Sequence, residues 1–244
     1  MQLDLFHAVV DDGTARSDGS LLEGRLLLTL GVMMLTLAVT FAAIVAYFAT
    51  IGEQGTDPPT GIVYGAVGVG LLLSIGVLWW KLDAAERAAA FPLRRPCQAE
   101  LILAVACFPI GIGAFLLGEW VAGLFGFDPV AFYTYDLTNP ATLFGVVFGA
   151  IIVAPLAEEL IYRGALIGVL RDRGWSALAA GAGSVAVFAG YHVFALGVAG
   201  VLAIAAWAVL PTILRFRFDN LAGAWLLHLL NNVYAYVILT WIMT

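Results

Sequence analysis

A chain of 244 residues that is 62% hydrophobic and only 11% charged is not built for water, because soluble domains carry about 25% charged residues. The net charge of −6, from 17 acidic residues against 11 basic ones, leaves no basic surface for nucleic acid and excludes it as a partner. Two cysteines, Cys97 and Cys107, form no CxxC or zinc pattern and read as free thiols.

Residues 1–23 are mixed in polarity and acidic, without the basic start and apolar stretch of a secretory signal. They read as a cytosolic tail in which His7 is solvated. Seven apolar runs follow, at roughly 24–50, 61–80, 99–118, 141–163, 176–194, 197–214 and 221–243. Each can cross a hydrocarbon core of about 30 Å at about 1.5 Å per residue. Helices are the default, since an unpaired backbone group in lipid costs several kcal/mol. The expected fold is all-α: a polytopic transmembrane bundle of about seven spans. It divides into the tail (1–23), a three-span N-terminal part (24–140) and a four-span catalytic part (141–244).

Orientation follows from arginine and lysine. Lys81, Arg87, Arg94 and Arg95 lie between the second and third runs, Arg171 and Arg173 between the fourth and fifth, and Arg215 and Arg217 between the sixth and seventh. The alternate loops hold Glu53, Asp57, Glu119, Asp128 and Asp136 and no basic residue. With Arg16 and Arg25, every basic segment falls on one side of a seven-span chain, which predicts a cytosolic N-terminus and a multi-pass protein of the cell membrane. Trp79, Trp80, Trp120, Trp175 and Trp241 stand at predicted span ends, as interfacial anchors do. The stretch DAAERAAAF at 83–91 reads as an interfacial helix in the longest cytosolic loop.

Three stretches carry ionisable or amide side chains inside spans. APLAEELIYRG holds Glu158, Glu159 and Arg163, FAGYH holds Phe188 and His192, and LLHLLNNVY holds His228, Asn231 and Asn232. A charge at the bilayer centre costs at least about 2.5–3.5 kcal/mol, so such residues face polar cavities. Glu158 lies 16 residues before Gly174 and His192 lies 18 after it. If Gly174 turns an antiparallel hairpin, both sit at similar depth, about 24–27 Å from the turn. His228 and Asn232, at i and i+4, project from one helix face.

Adjacent helix residues point about 100° apart, so the two glutamates have different tasks. Glu159 and Arg163 form an i, i+4 pair in the favourable order, which leaves Glu158 as the carboxylate free to act. Pro155 removes a backbone donor and crowds the Ile151 carbonyl, predicting a kink before the pair. The set suggests hydrolysis: Glu158 takes a proton from water, His192 orients or shares it, and His228 and Asn232 donate to the oxyanion. The same residue types could instead hold zinc at Glu158, His192 and His228, a known catalytic ligand set. Blander readings exist for each member. An acid pair beside arginine also builds structural ion-pair networks, and a lone histidine or asparagine also bridges helices. Phe188 reads as packing.

At these residues the chain resembles the CAAX protease and bacteriocin-processing family of intramembrane endopeptidases, which includes the Ras-converting CAAX endoprotease. The family's EExxxR motif is matched by Glu158, Glu159 and Arg163, its FxxxH motif by Phe188 and His192, and its HxxxN-type motif by His228 and Asn232. The resemblance covers about 145–240. It implies peptide-bond hydrolysis within the membrane with the first glutamate as base, glutamate-dependent in preference to metal-dependent, and with no cofactor favoured. The implied partners are the lipid bilayer and a protein or peptide substrate, lipidated in some members, entering from it. There is no HExxH or GxGD signature of other intramembrane proteases, and Ser184 in GAGSVA reads as a small packing residue. Two other functions remain open: a proton-coupled membrane transporter, and a non-catalytic scaffold or immunity protein of the same family. The first three runs hold no buried charge to mirror the C-terminal set, which weighs against a transporter.

Overall fold

Apolar runs longer than a bilayer is thick fold as helices because lipid offers the backbone no other hydrogen-bond partner. The computed structural model describes residues 20–51, 57–131 and 133–243; the tail through residue 19, with His7 and Arg16, and Glu53 lie outside the described residues. In chain order the helices are α1 (Glu23–Thr50), α2 (Thr60–Lys81), α3 (Ala84–Ala90), α4 (Gln98–Leu124), α5 (Pro140–Asp172), α6 (Ala177–Tyr191), α7 (Val193–Phe218) and α8 (Ala222–Met243). Among the described residues six helices, all but α3 and α6, are long and apolar enough to cross a membrane. The expected fifth span, 176–194, is the shorter α6 of 15 residues. At about 1.5 Å per residue it covers about 22 Å, which brings its end, beside His192, short of a full crossing.

Local chemistry sets these boundaries. Asn139 caps α5 by accepting from the Ala141 (2.9 Å) and Thr142 (3.3 Å) amides, with Pro140 in the first turn. Gly174 takes a positive φ of 85° between α5 and α6, and Ser176 caps α6 by accepting from the Ala179 amide at 3.1 Å. The α6–α7 junction turns at His192 and again at Gly197, whose φ of 65° a side chain would resist. The interfacial stretch is the helix α3, started by a capping box between Asp83 and Glu86.

Contacts far apart in sequence gather the arginine-bearing loops at one end of the bundle. The Leu22 amide donates to Asp172 Oδ2 (2.7 Å), Arg173 donates to the Glu23 carbonyl (3.0 Å), and Arg25 pairs with Glu86 (2.6 Å). The Arg94 amide donates to Asn220 Oδ1 at 2.9 Å. Within the bundle α1 packs on α2, α2 on α5, α7 on α4 and α6, and α8 on α4 and α5. Backbones touch where Gly145 and Gly149, spaced GxxxG on α5, meet α2: a Cβ on Gly149 would overlap the Tyr64 carbonyl, and one on Gly145 would sit 2.5 Å from that of Gly61. The helix so held is the central one, with half of its membrane window buried against 17–33% for the other five. Large apolar side chains such as Phe41, Leu178, Phe194 and Trp241 are exposed on the outside of the bundle, where acyl chains cover them. The chain is a multi-pass membrane protein.

Candidate active site

Helix α5 widens twice along its length. It opens to i→i+5 turns over Val146–Val153, tightens to α over Ala154–Glu158, and opens again over Glu159–Leu166. Pro155 sits in the tight segment, where the missing N–H was expected to disturb the helix. The two glutamates therefore straddle a change of winding, a feature concentrated at functional sites.

Glu159 and Arg163 lie at the core of the bundle, 1% and 0% exposed. Arg163 Nη1 donates to Glu159 Oε1 at 3.1 Å, and Nη2 donates to the Ala208 carbonyl on α7 at 3.3 Å. Its Nε faces Thr212 Oγ1 at 3.5 Å, and its guanidinium lies 4.3 Å over the Phe188 ring. A desolvated cation over an aromatic face contributes about 2 kcal/mol. Phe188 is thus part of how the charge is tolerated, beyond ordinary packing. Glu159 Oε1 is also 2.8 Å from His228 Nδ1, while its Oε2 has no hydrogen-bond partner among the described residues.

Glu158 stands on the other side of His228. Its Oε2 is 3.6 Å from His228 Nε2, so one imidazole links the two carboxylates. Tyr162, Tyr191 and Tyr236 lie within electrostatic reach of Glu158. Asn232 spends one amide N–H on the Ala150 carbonyl at 2.8 Å, which leaves its second N–H available. His192 Nδ1 is 2.8 Å from the Phe188 carbonyl one turn back, and among the described residues His192 makes no ion pair with either glutamate. Phe188 packs edge-on against both imidazoles, with ring centroids 4.7 Å from His192 and 6.0 Å from His228.

The three stretches thus converge, with a different pairing inside the cluster. His228, expected as an oxyanion donor, is the imidazole facing Glu158, and it is anchored through Glu159. Zinc at Glu158, His192 and His228 would need three donors around one point. Among the described residues no three His, Cys, Asp or Glu side chains are so arranged. Ser184 donates to the Tyr162 carbonyl at 2.8 Å, a helix-packing role.

Two site neighbours were missed in the sequence. Thr212 braces Arg163, and Trp207 lies 4.9 Å from the His228 ring. A tryptophan in mid-span, away from the interfacial belt, is the signal that marks the second. Thr212 carries none, being one of several span hydroxyls that bond back to the preceding turn.

Residues 140–234 match the family model for the type II CAAX prenyl endopeptidase, Rce1-like. This segment is similar to that family's domain. It begins with α5 and ends within α8, so every residue of the cluster lies inside it. The matched segment covers less than half of the chain, and α1–α4 lie outside it. No curated protein and no solved structure matches the chain. By its description, the family so matched is one of CAAX prenyl endopeptidases.

Proposed function

We propose that the chain is a glutamate-dependent intramembrane endopeptidase that cleaves a peptide bond in a membrane-associated, lipidated protein or peptide. The observation that carries this reading is the unequal treatment of two adjacent carboxylates. Glu159 is held by Arg163 at 3.1 Å and His228 at 2.8 Å, whereas among the described residues Glu158 pairs with His228 Nε2 alone, at 3.6 Å. A buried carboxylate with open lone pairs and no tight partner is free to accept a proton from a reacting water and suits a general base.

In this mechanism Glu158 takes a proton from water, and the hydroxide adds to the scissile carbonyl carbon. His192, with its Nδ1–H on the Phe188 carbonyl, keeps an Nε2 lone pair to orient that water. Charge then develops on the carbonyl oxygen, where His228 Nε2–H and the second N–H of Asn232 donate. For His228 to donate there while Nδ1 faces Glu159, the His228–Glu159 pair must hold two protons. Collapse breaks the C–N bond, and the proton held by Glu158 passes to the leaving amine. No step uses a metal.

The test is cleavage of a farnesylated peptide by the full chain in detergent, with Glu158→Gln beside it. Loss of a positioned general base lowers kcat by about 10²–10⁴-fold. Undiminished cleavage by Glu158→Gln would remove Glu158 from this role.

A further inference from the structure

Tyr191 closes α6, one residue before His192. Its hydroxyl is buried and has no hydrogen-bond partner among the described residues. A buried phenol normally finds one, the more so in a membrane protein. The Thr36 hydroxyl on α1 interacts with Tyr191 without forming a hydrogen bond of good geometry, and it is itself 2.9 Å from Ser74 Oγ. The Tyr191 ring packs edge-on against Tyr162 (6.3 Å) and His192 (6.2 Å), and the residue is within electrostatic reach of Glu158. A buried donor with no hydrogen-bond partner among the described residues therefore stands near the base. The other donors are each half engaged: His228 Nδ1 on Glu159, and one Asn232 N–H on the Ala150 carbonyl.

We propose that the Tyr191 O–H donates a hydrogen bond to the carbonyl oxygen of the peptide bond being cleaved, joining His228 and Asn232 as a third oxyanion donor. The proposal rests on the endopeptidase reading of the site. It makes Tyr191 a catalytic residue whose partner arrives with substrate, so its hydroxyl contributes to the transition state and little to the fold.

The experiment compares wild type, Tyr191→Phe, Thr36→Val and Glu158→Gln as full chains in detergent, on a farnesylated peptide and in thermal unfolding. Tyr191→Phe should lose about 10²-fold in kcat, the scale of one oxyanion donor. Its KM should stay within about threefold of wild type, because the bond strengthens only as charge develops. Its unfolding midpoint should not fall, since no bond is removed. Thr36→Val should keep wild-type kcat. Wild-type kcat in Tyr191→Phe, with Glu158→Gln inactive, overturns the Tyr191 assignment alone. A Tyr191→Phe chain that unfolds early or fails to fold also overturns it, by showing a structural bond. Wild-type cleavage by Glu158→Gln overturns the reading beneath, and the Tyr191 assignment with it.

Discussion

Two buried acidic sites in this bundle treat their carboxylates in opposite ways. At the arginine-rich end, Glu100 in the first turn of α4 has both oxygens filled: Oε1 accepts from the Gly223 amide at 2.7 Å and Oε2 from Asn220 Nδ2 at 2.9 Å. Asn220 in turn clasps Arg94 through the backbone amide (2.9 Å) and carbonyl (3.2 Å). Because Gly223 lies in the first turn of α8, the negative charge also meets the positive end of a helix. Deep in α5, by contrast, Glu159 Oε2 has no partner among the described residues and Glu158 has one loose neighbour. A saturated carboxylate fixes geometry. One with open lone pairs, held where desolvation is expensive, is kept for a reacting molecule.

The sharpest way to break this contrast is to remove the cation that makes the deep site tolerable. Arg163→Met keeps the bulk of the side chain but leaves Glu159 without its guanidinium and Phe188 without its cation. Losing one partner of a buried pair costs about 3–5 kcal/mol, so the thermal midpoint should fall steeply in detergent. A midpoint near wild type would mean that Glu159 is protonated and needs no counter-ion.

Glu100→Gln tests the other member of the comparison. A glutamine oxygen can replace only one of the two acceptors, and its NH₂ then opposes a donor. Stability should fall by about 1–3 kcal/mol, while kcat per folded molecule stays at the wild-type value. A specific loss of kcat would mean that the end of α8 is coupled to the site, and that the two carboxylates are not separate cases.

These side-chain arrangements also mark the limit of what the sequence made legible. The spans were readable because lipid leaves an apolar run one backbone solution, and α1, α2 and α8 coincide closely with their predicted ranges. The boundaries differ where a charged residue lies within a helix. The fourth run, 141–163, stops at Arg163, yet α5 continues to Asp172 because that arginine is neutralised inside the bundle. The third run, 99–118, stops before Glu119, yet α4 continues to Leu124 while Glu119 accepts from the Val130 amide at 2.9 Å. In the site, helical periodicity predicted the Glu159–Arg163 contact, seen at 3.1 Å. Matched depths predicted that α5, α6 and α8 meet. Periodicity and depth carry no rotamer information, so neither could tell that His228 rather than His192 faces Glu158. That choice is made by the Phe188 carbonyl, which holds His192 Nδ1, and by Glu159, which holds His228 Nδ1.

The smallest expected effect concerns a third carboxylate, outside the membrane-spanning helices. Glu86 of α3 receives Arg25 through two contacts, 2.6 and 3.0 Å, and completes its capping box by accepting from the Asp83 amide at 2.8 Å. The Arg25 hydrogen bond, helped by that backbone amide, holds the Glu86 carboxyl below the ordinary glutamate range. A group depressed in the folded state binds fewer protons there than in the unfolded chain. Its contribution is therefore complete above the unfolded pKa and is lost as pH falls through the folded one. Arg25 is 38% exposed, so solvent screening limits the pair to about 0.5–1 kcal/mol. Glu86→Gln should cost that much at about pH 7, with the gap to wild type closing in acid, in thermal unfolding of both chains across pH. If the gap persists at low pH, hydrogen bonding in the capping box, and not charge, ties α3 to α1. Glu86 would then belong with Glu100, as an acid used for its acceptor geometry.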